Sequence, residues 1–109
     1  MNIEQIEVLK QAIIIWGVPN QLDMATEELA ELIVAINKAK RSGIVVPDDI
    51  RLNLSAIHQC RAINDLVGEI ADVKIMVAQL ELMLASVIQP NEIEDKISEK
   101  IHRLSNRMV

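Results

Sequence analysis

Helix-breaking residues are scarce in this 109-residue chain, and their positions divide it. It has three glycines and three prolines. Gly17 and Pro19 fall together, Gly43 and Pro47 fall together, Pro90 stands near the C-terminus, and Gly68 is alone in an apolar run. Between these points apolar residues recur every three or four positions, the period of an α-helix. The first helix is expected from about Asn2 to Trp16, with Ile3, Ile6, Leu9 and Ile13 in step and Gly17-Val18-Pro19 ending it. A second should open at Asn20 or Gln21 and persist to about Ser42. Lys38, Lys40 and Arg41 near its end suit the negative pole of the helix dipole. Gly43 stops it, and a connection from Ile44 to about Asn53 follows. A third helix is expected from about Leu54 to Ile88, broken or bent near Asp65 to Gly68. Gln89-Pro90-Asn91 then separates a short last helix with Ile93, Ile97, Ile101 and Leu104 on one stripe. No strand-like alternation, internal repeat or low-complexity tract occurs. The expected fold is all-α, a single domain over residues 1–109.

Composition bounds the partners. Half the residues are apolar, yet the chain has one Trp and no Phe or Tyr, and its mean hydropathy is +0.23. A domain this small buries only about 60–70% of the surface its unfolded chain exposes, so apolar surface is left over and self-association is expected. Eleven Lys and Arg oppose sixteen Asp and Glu for a formal charge of −5. Such a balance offers no net attraction to phosphates and argues against polymeric nucleic acid as a partner. No apolar run approaches the roughly 20 residues needed to span a bilayer, and the opening MNIEQIEVLK places acids where a signal peptide would not. A single cysteine, Cys60, cannot form an intrachain disulfide and suits a reducing compartment. A soluble cytoplasmic protein without a membrane partner is expected.

The acids are informative by position. Glu28 has Met24, Ala25, Glu31 and Leu32 as helical neighbours, so it borders an apolar face. Glu69 and Asp72 lie in the apolar run EIADVKIMVAQLELMLA. Each pair is spaced i, i+3 and projects two carboxylates from one side of a helix. Isolated buried carboxylates are costly, and two pairs brought together also repel. A divalent cation removes both objections, and Mg²⁺ favours hard oxygen ligands shared with substrate phosphates. If the second and third helices pack antiparallel, Glu28, Glu31, Glu69 and Asp72 converge on such an ion. The competing reading of any E-x-x-E or E-x-x-D pair is a solvated helix surface.

These residues resemble the MazG-like, all-α nucleoside triphosphate pyrophosphohydrolases, in particular their short single-domain members from bacteria and phages. The similar text is WGVPNQLDMATEELAELIVAINKAKR, then GEIADVKIMVAQLELML, then NEIEDKISEKIHRL. The family signature, E-x-x-E followed by E-x-x-D, is met by Glu28, Glu31, Glu69 and Asp72. The resemblance implies a four-helix bundle, a site that uses Mg²⁺ and accepts Mn²⁺ in its place, and dimers or tetramers with sites near subunit interfaces. The implied reaction is hydrolysis of a ribo- or deoxynucleoside triphosphate between the α and β phosphorus, giving a monophosphate and pyrophosphate. Two departures stand out. Thirty-seven residues separate Glu31 from Glu69, a longer interval than in many relatives, and Lys74 stands where an apolar or acidic residue is expected.

Further roles follow for single residues. Glu27 adjoins the acids and is the candidate general base, set against a plain solvated acid. Lys38, two turns beyond Glu31, is a candidate phosphate ligand or a helix-end lysine. Lys100 and Arg103 on the last helix are candidates for the distal phosphates. Trp16 is the one side chain with a large face for stacking on a base, and it suits a core or interface anchor equally. Gln21 could bond a base edge or cap its helix. A di-iron bundle would need two Glu-x-x-His motifs, and only Glu99-x-x-His102 is present; His58, His102 and Cys60 read as ordinary residues, Cys60 as an inert thiol. The rival to an enzyme is a non-catalytic helical oligomerisation or regulatory protein whose acids face solvent.

Overall fold

The computed structural model describes residues 1–42 and 57–108, with the side chains of 57–60 outside that description. The expected connection from Ile44 to Asn53 and the expected start of the third helix at Leu54 therefore lie outside the described residues. So do the side chains of His58 and Cys60. Four helices make up the rest: α1 (Ile3–Trp16), α2 (Val18–Arg41), α3 (Ile57–Leu84) and α4 (Glu92–Arg107). No strand occurs among the described residues, in keeping with the all-α expectation. None of the helices is long and apolar enough to cross a membrane.

Helix α1 opens on a reciprocal capping box. The Gln5 amide donates to Asn2 Oδ1 at 2.8 Å, and the Asn2 amide donates to Gln5 Oε1 at 2.9 Å, so two otherwise orphaned donors are satisfied. Gly17 both ends α1 and begins α2. It has φ +83° and ψ 155°, a conformation essentially reserved for glycine. Its amide donates to the Ile13 carbonyl at 2.8 Å, and Asn20 Nδ2 reaches the Trp16 carbonyl at 2.8 Å. The corner is thus closed by hydrogen bonds on both sides.

Two expectations about helix bounds are corrected. Helix α2 begins at Val18, ahead of Asn20, with Pro19 inside its first turn. Proline is tolerated there because the amide it lacks has no helical partner at that position. Helix α3 runs without a break through Asp65 to Gly68 and ends at Leu84, before Ile88. A side chain at Gly68 would meet nothing within 4 Å, so this glycine marks neither a bend nor a close approach.

Helices α2 and α3 pack antiparallel along most of their length, and α1 lies against both. Among the described residues, the buried apolar ones are Leu9, Ala25, Ala35, Ala39, Ala62 and Met76. Four of the six are alanines, so the α2/α3 seam is closed chiefly by small side chains that let the two backbones approach. Gln21 and Gln79, 1% and 3% exposed, are the buried polar residues among those described. Helix α4 packs against none of the other three. The radius of gyration is 17.4 Å, against about 13 Å for a compact chain of this length. Large apolar residues are left outside on every helix, among them Ile14, Ile15, Leu29, Ile33, Val67 and Ile101.

Candidate metal centre

Antiparallel packing of α2 and α3 sets one acid pair opposite the other. Glu28, Glu31, Glu69 and Asp72 each offer a carboxylate oxygen, and these four atoms all lie within 4.8 Å of one another. Glu28 and Glu69 are half-buried while Glu31 and Asp72 are exposed. The cluster is therefore open to solvent on one side and sunk into the seam on the other.

The sunken side has an unmet need. Glu28 Oε2 and Glu69 Oε2 are both buried with no hydrogen-bond partner. A carboxylate oxygen stripped of water and of donors costs free energy unless a positive charge or a proton meets it. Accordingly, burial pushes the Glu28 carboxyl above its usual range, aided by the charges of Asp72, Glu31 and Glu69. Burial likewise raises Glu69, followed by the charges of Glu31 and Asp72. Donors that are all hard oxygens, clustered and unsatisfied, fit a divalent cation of the Mg²⁺ type.

A cavity of about 340 Å³ opens beside the cluster, lined by Glu31, Val34, Ala35, Lys38, Asp65 and Glu69. It adjoins a second of about 300 Å³, lined by Lys38, Arg41, Ser42, Arg61, Ala62 and Asp65. Lys38 and Asp65 line both. The cleft is therefore acidic at the cluster and gains three cations toward the C-terminal end of α2. None of Lys38, Arg41 and Arg61 is in an ion pair with a described residue. Arg61 and Asp65 escaped the sequence reading, although Arg61, Asp65 and Glu69 follow at i+4 steps on one face of α3. That spacing was the available signal.

The other candidates fall elsewhere. Glu27 is exposed on α2 beside Glu28, about 100° around the helix. Trp16 is 56% exposed at the α1/α2 corner. Gln21 is corrected: it is no helix-mouth donor. Because α2 starts at Val18, Gln21 has already turned inward, and its Nε2 lies 3.4 Å from Met24 Sδ. Lys100 and Arg103 are not brought to the acids, since Pro90 turns the chain and α4 stands apart. Arg103 Nη2 instead meets Glu99 Oε1 at 3.3 Å. Lys74 forms no ion pair with a described residue and lines an apolar groove between α1 and α3.

Comparison with protein-family models, with curated proteins and with solved structures finds no match for the chain.

Proposed function

We propose that this chain hydrolyses a nucleoside triphosphate between the α and β phosphorus in a Mg²⁺-dependent reaction, releasing a monophosphate and pyrophosphate. The observation that carries the reading is the four-carboxylate cluster with two buried, unpartnered oxygens. The resemblance of the surrounding sequence to MazG-like pyrophosphohydrolases supplies the reaction. Glu28, Glu31, Glu69 and Asp72 would hold Mg²⁺, with Mn²⁺ as its replacement. When bound, such an ion neutralises charge that develops on phosphate oxygens.

The chain's own residues do the remaining work. Lys38 reaches the cleft from the same helix as Glu31 and orients the phosphate chain, with Arg41 and Arg61 beyond it. Glu27, on the open side of α2, orders the attacking water and accepts its proton. The water oxygen bonds to phosphorus, the bridging P–O bond breaks, and pyrophosphate leaves. A homo-oligomer, dimer or tetramer, belongs to the same reading and gives the exposed apolar residues a cover.

Pyrophosphate release from a panel of ribo- and deoxynucleoside triphosphates with Mg²⁺, run beside Glu31→Gln and Asp72→Asn, tests the proposal. Pyrophosphate from at least one substrate, lost in both variants, supports it. Absence of turnover by folded, Mg²⁺-loaded protein would overturn it in favour of a non-catalytic oligomerisation role.

A further inference from the structure

Two buried side chains take no part in the acid cluster or its cleft. Gln21 on α2 and Gln79 on α3 are the most enclosed polar residues among those described, at 1% and 3% exposure. Their deficits are complementary. Gln21 Nε2 is a donor whose acceptor is the Met24 sulfur at 3.4 Å, a weak one. Gln79 Oε1 is an acceptor buried with no donor at all.

The two amides also stand at the same level of the seam. Gln21 precedes Glu28 by seven residues, and Gln79 follows Asp72 by seven. Seven residues are close to two full turns, so each amide shares the face of its acid. Asp72 is the charge that weighs most on Glu28, and Glu31 the one that weighs most on Glu69. Farther along, Ala35 and Asp65 line one cavity, and Lys38 and Ala62 line the next. All of these pairs obey one antiparallel register, and the same register sets Gln21 opposite Gln79.

Something must hold that register before a cation arrives. The acids cannot, because carboxylates brought together repel one another. The alanines of the seam cannot, since one methyl group offers another no preferred alignment. A polar pair inside an apolar seam can, because each other alignment leaves its donor and its acceptor unmet. The terminal torsion of a glutamine is soft, so Gln21 Nε2 can turn from the Met24 sulfur to an oxygen.

We propose that Gln21 and Gln79 are positioning residues for the metal centre. A hydrogen bond donated by Gln21 Nε2 to Gln79 Oε1 locks α2 on α3 in the register that sets Glu28 and Glu31 across from Glu69 and Asp72. This role presupposes that the four acids hold a cation, but not the reaction proposed above.

Calorimetric titration with Mg²⁺ and thermal melts of the full chain test it, in the wild type, Gln21→Leu, Gln79→Leu and the double variant. Each single variant leaves one amide without its partner and should melt below the wild type. The double variant removes both amides and should melt at or above it. Its Mg²⁺ affinity should nevertheless stay about tenfold down, the lower end of what losing a partner that orients the ligands costs. In amide-proton NMR spectra of the metal-free chain, the Gln21 side-chain signal, assigned by its loss in Gln21→Leu, should shift in Gln79→Leu. An affinity that returns with stability in the double variant overturns the inference and reduces the amides to packing. So does a Gln21 signal that Gln79→Leu leaves in place. A wild type that binds no Mg²⁺ fails differently: it removes the metal centre, and with it anything to position.

Discussion

Glu28 on α2 and Glu69 on α3 bring carboxylate oxygens within 4.8 Å of each other across the helix seam, and each leaves its Oε2 buried without a partner. Two groups on different helices thus share one deficit, which a proton would meet at low pH and a bound cation would meet at neutral pH.

Metal-free protein should lose stability as pH rises. Both folded-state carboxyls titrate above the ordinary glutamate value. A raised pKa adds stability that is fully present below that value and is lost as pH climbs through the raised one. Thermal melts in EDTA should therefore give a Tm that declines from about pH 4.5 toward neutrality. Glu28→Gln and Glu69→Gln, having no charge to bury, should flatten the decline. A Tm that falls equally in the variants would separate the effect from this cluster.

Mg²⁺ should reverse that loss. A ligand at 100 times its Kd stabilises the state it binds by about 2.7 kcal/mol, worth on the order of 10 °C or more in Tm for a domain of about 100 residues. Titrating Mg²⁺ at pH 7 should raise the wild-type Tm, and Glu31→Gln or Asp72→Asn should cut the rise sharply. The same two variants should lower triphosphate turnover by on the order of 100-fold or more, the scale on which removing a stabiliser of developing charge acts. An unmoved Tm at millimolar Mg²⁺ counts against the metal centre itself.

Lys38, Arg41 and Arg61 should contribute to substrate binding and not to metal binding. Arg61→Ala and Lys38→Ala should each raise KM for the triphosphate by about tenfold, the worth of one charge-assisted hydrogen bond at about 1.4 kcal/mol. The Mg²⁺-induced rise in Tm should be retained in both. Steady-state kinetics beside metal-titrated melts separates the two effects, and an unchanged KM would remove these cations from the site.

The two described glycines should respond in opposite directions. Gly17→Ala places a side chain at φ +83° and should cost about 1–3 kcal/mol. Gly68→Ala sits inside α3 with open space around it, so it should gain up to about 1 kcal/mol from helix propensity. Denaturant melts of the two variants check both signs.

Helix number and the two acid pairs were legible because they depend on local spacing. The breakers at Gly17, Gly43 and Pro90 bound long runs of helical period, and the i, i+3 rule alone puts Glu28 beside Glu31 and Glu69 beside Asp72. Helix ends were less legible. Pro19 reads as a terminator until its place in a first turn is known, and that misplaced start carried Gln21 from the buried face to the helix mouth. The cationic end of the cleft was hidden for another reason: Lys38 and Arg61 are far apart in sequence and become neighbours only through the register of α2 on α3. The same holds for α4, where amphipathic spacing is plain but shows nothing of which helices it leaves untouched.

The alanines of the α2/α3 seam have a consequence for what this chain can become. Most helical domains hold their spacing with Leu and Ile, and absorb a changed methyl group by repacking. Here Ala25 and Ala35 flank the acid pair of α2 on the seam, while Ala62 of α3 lies further along it, beside Lys38. A methyl group has no rotamer to shift, so the width of the gap is set by the backbones themselves. Any larger residue at these positions must part the helices, and the reach between Glu28 and Glu69 lengthens with them. The smallest side chains in the fold act as its gauge blocks, and they set the reach between Glu28 and Glu69 as much as the acids themselves do.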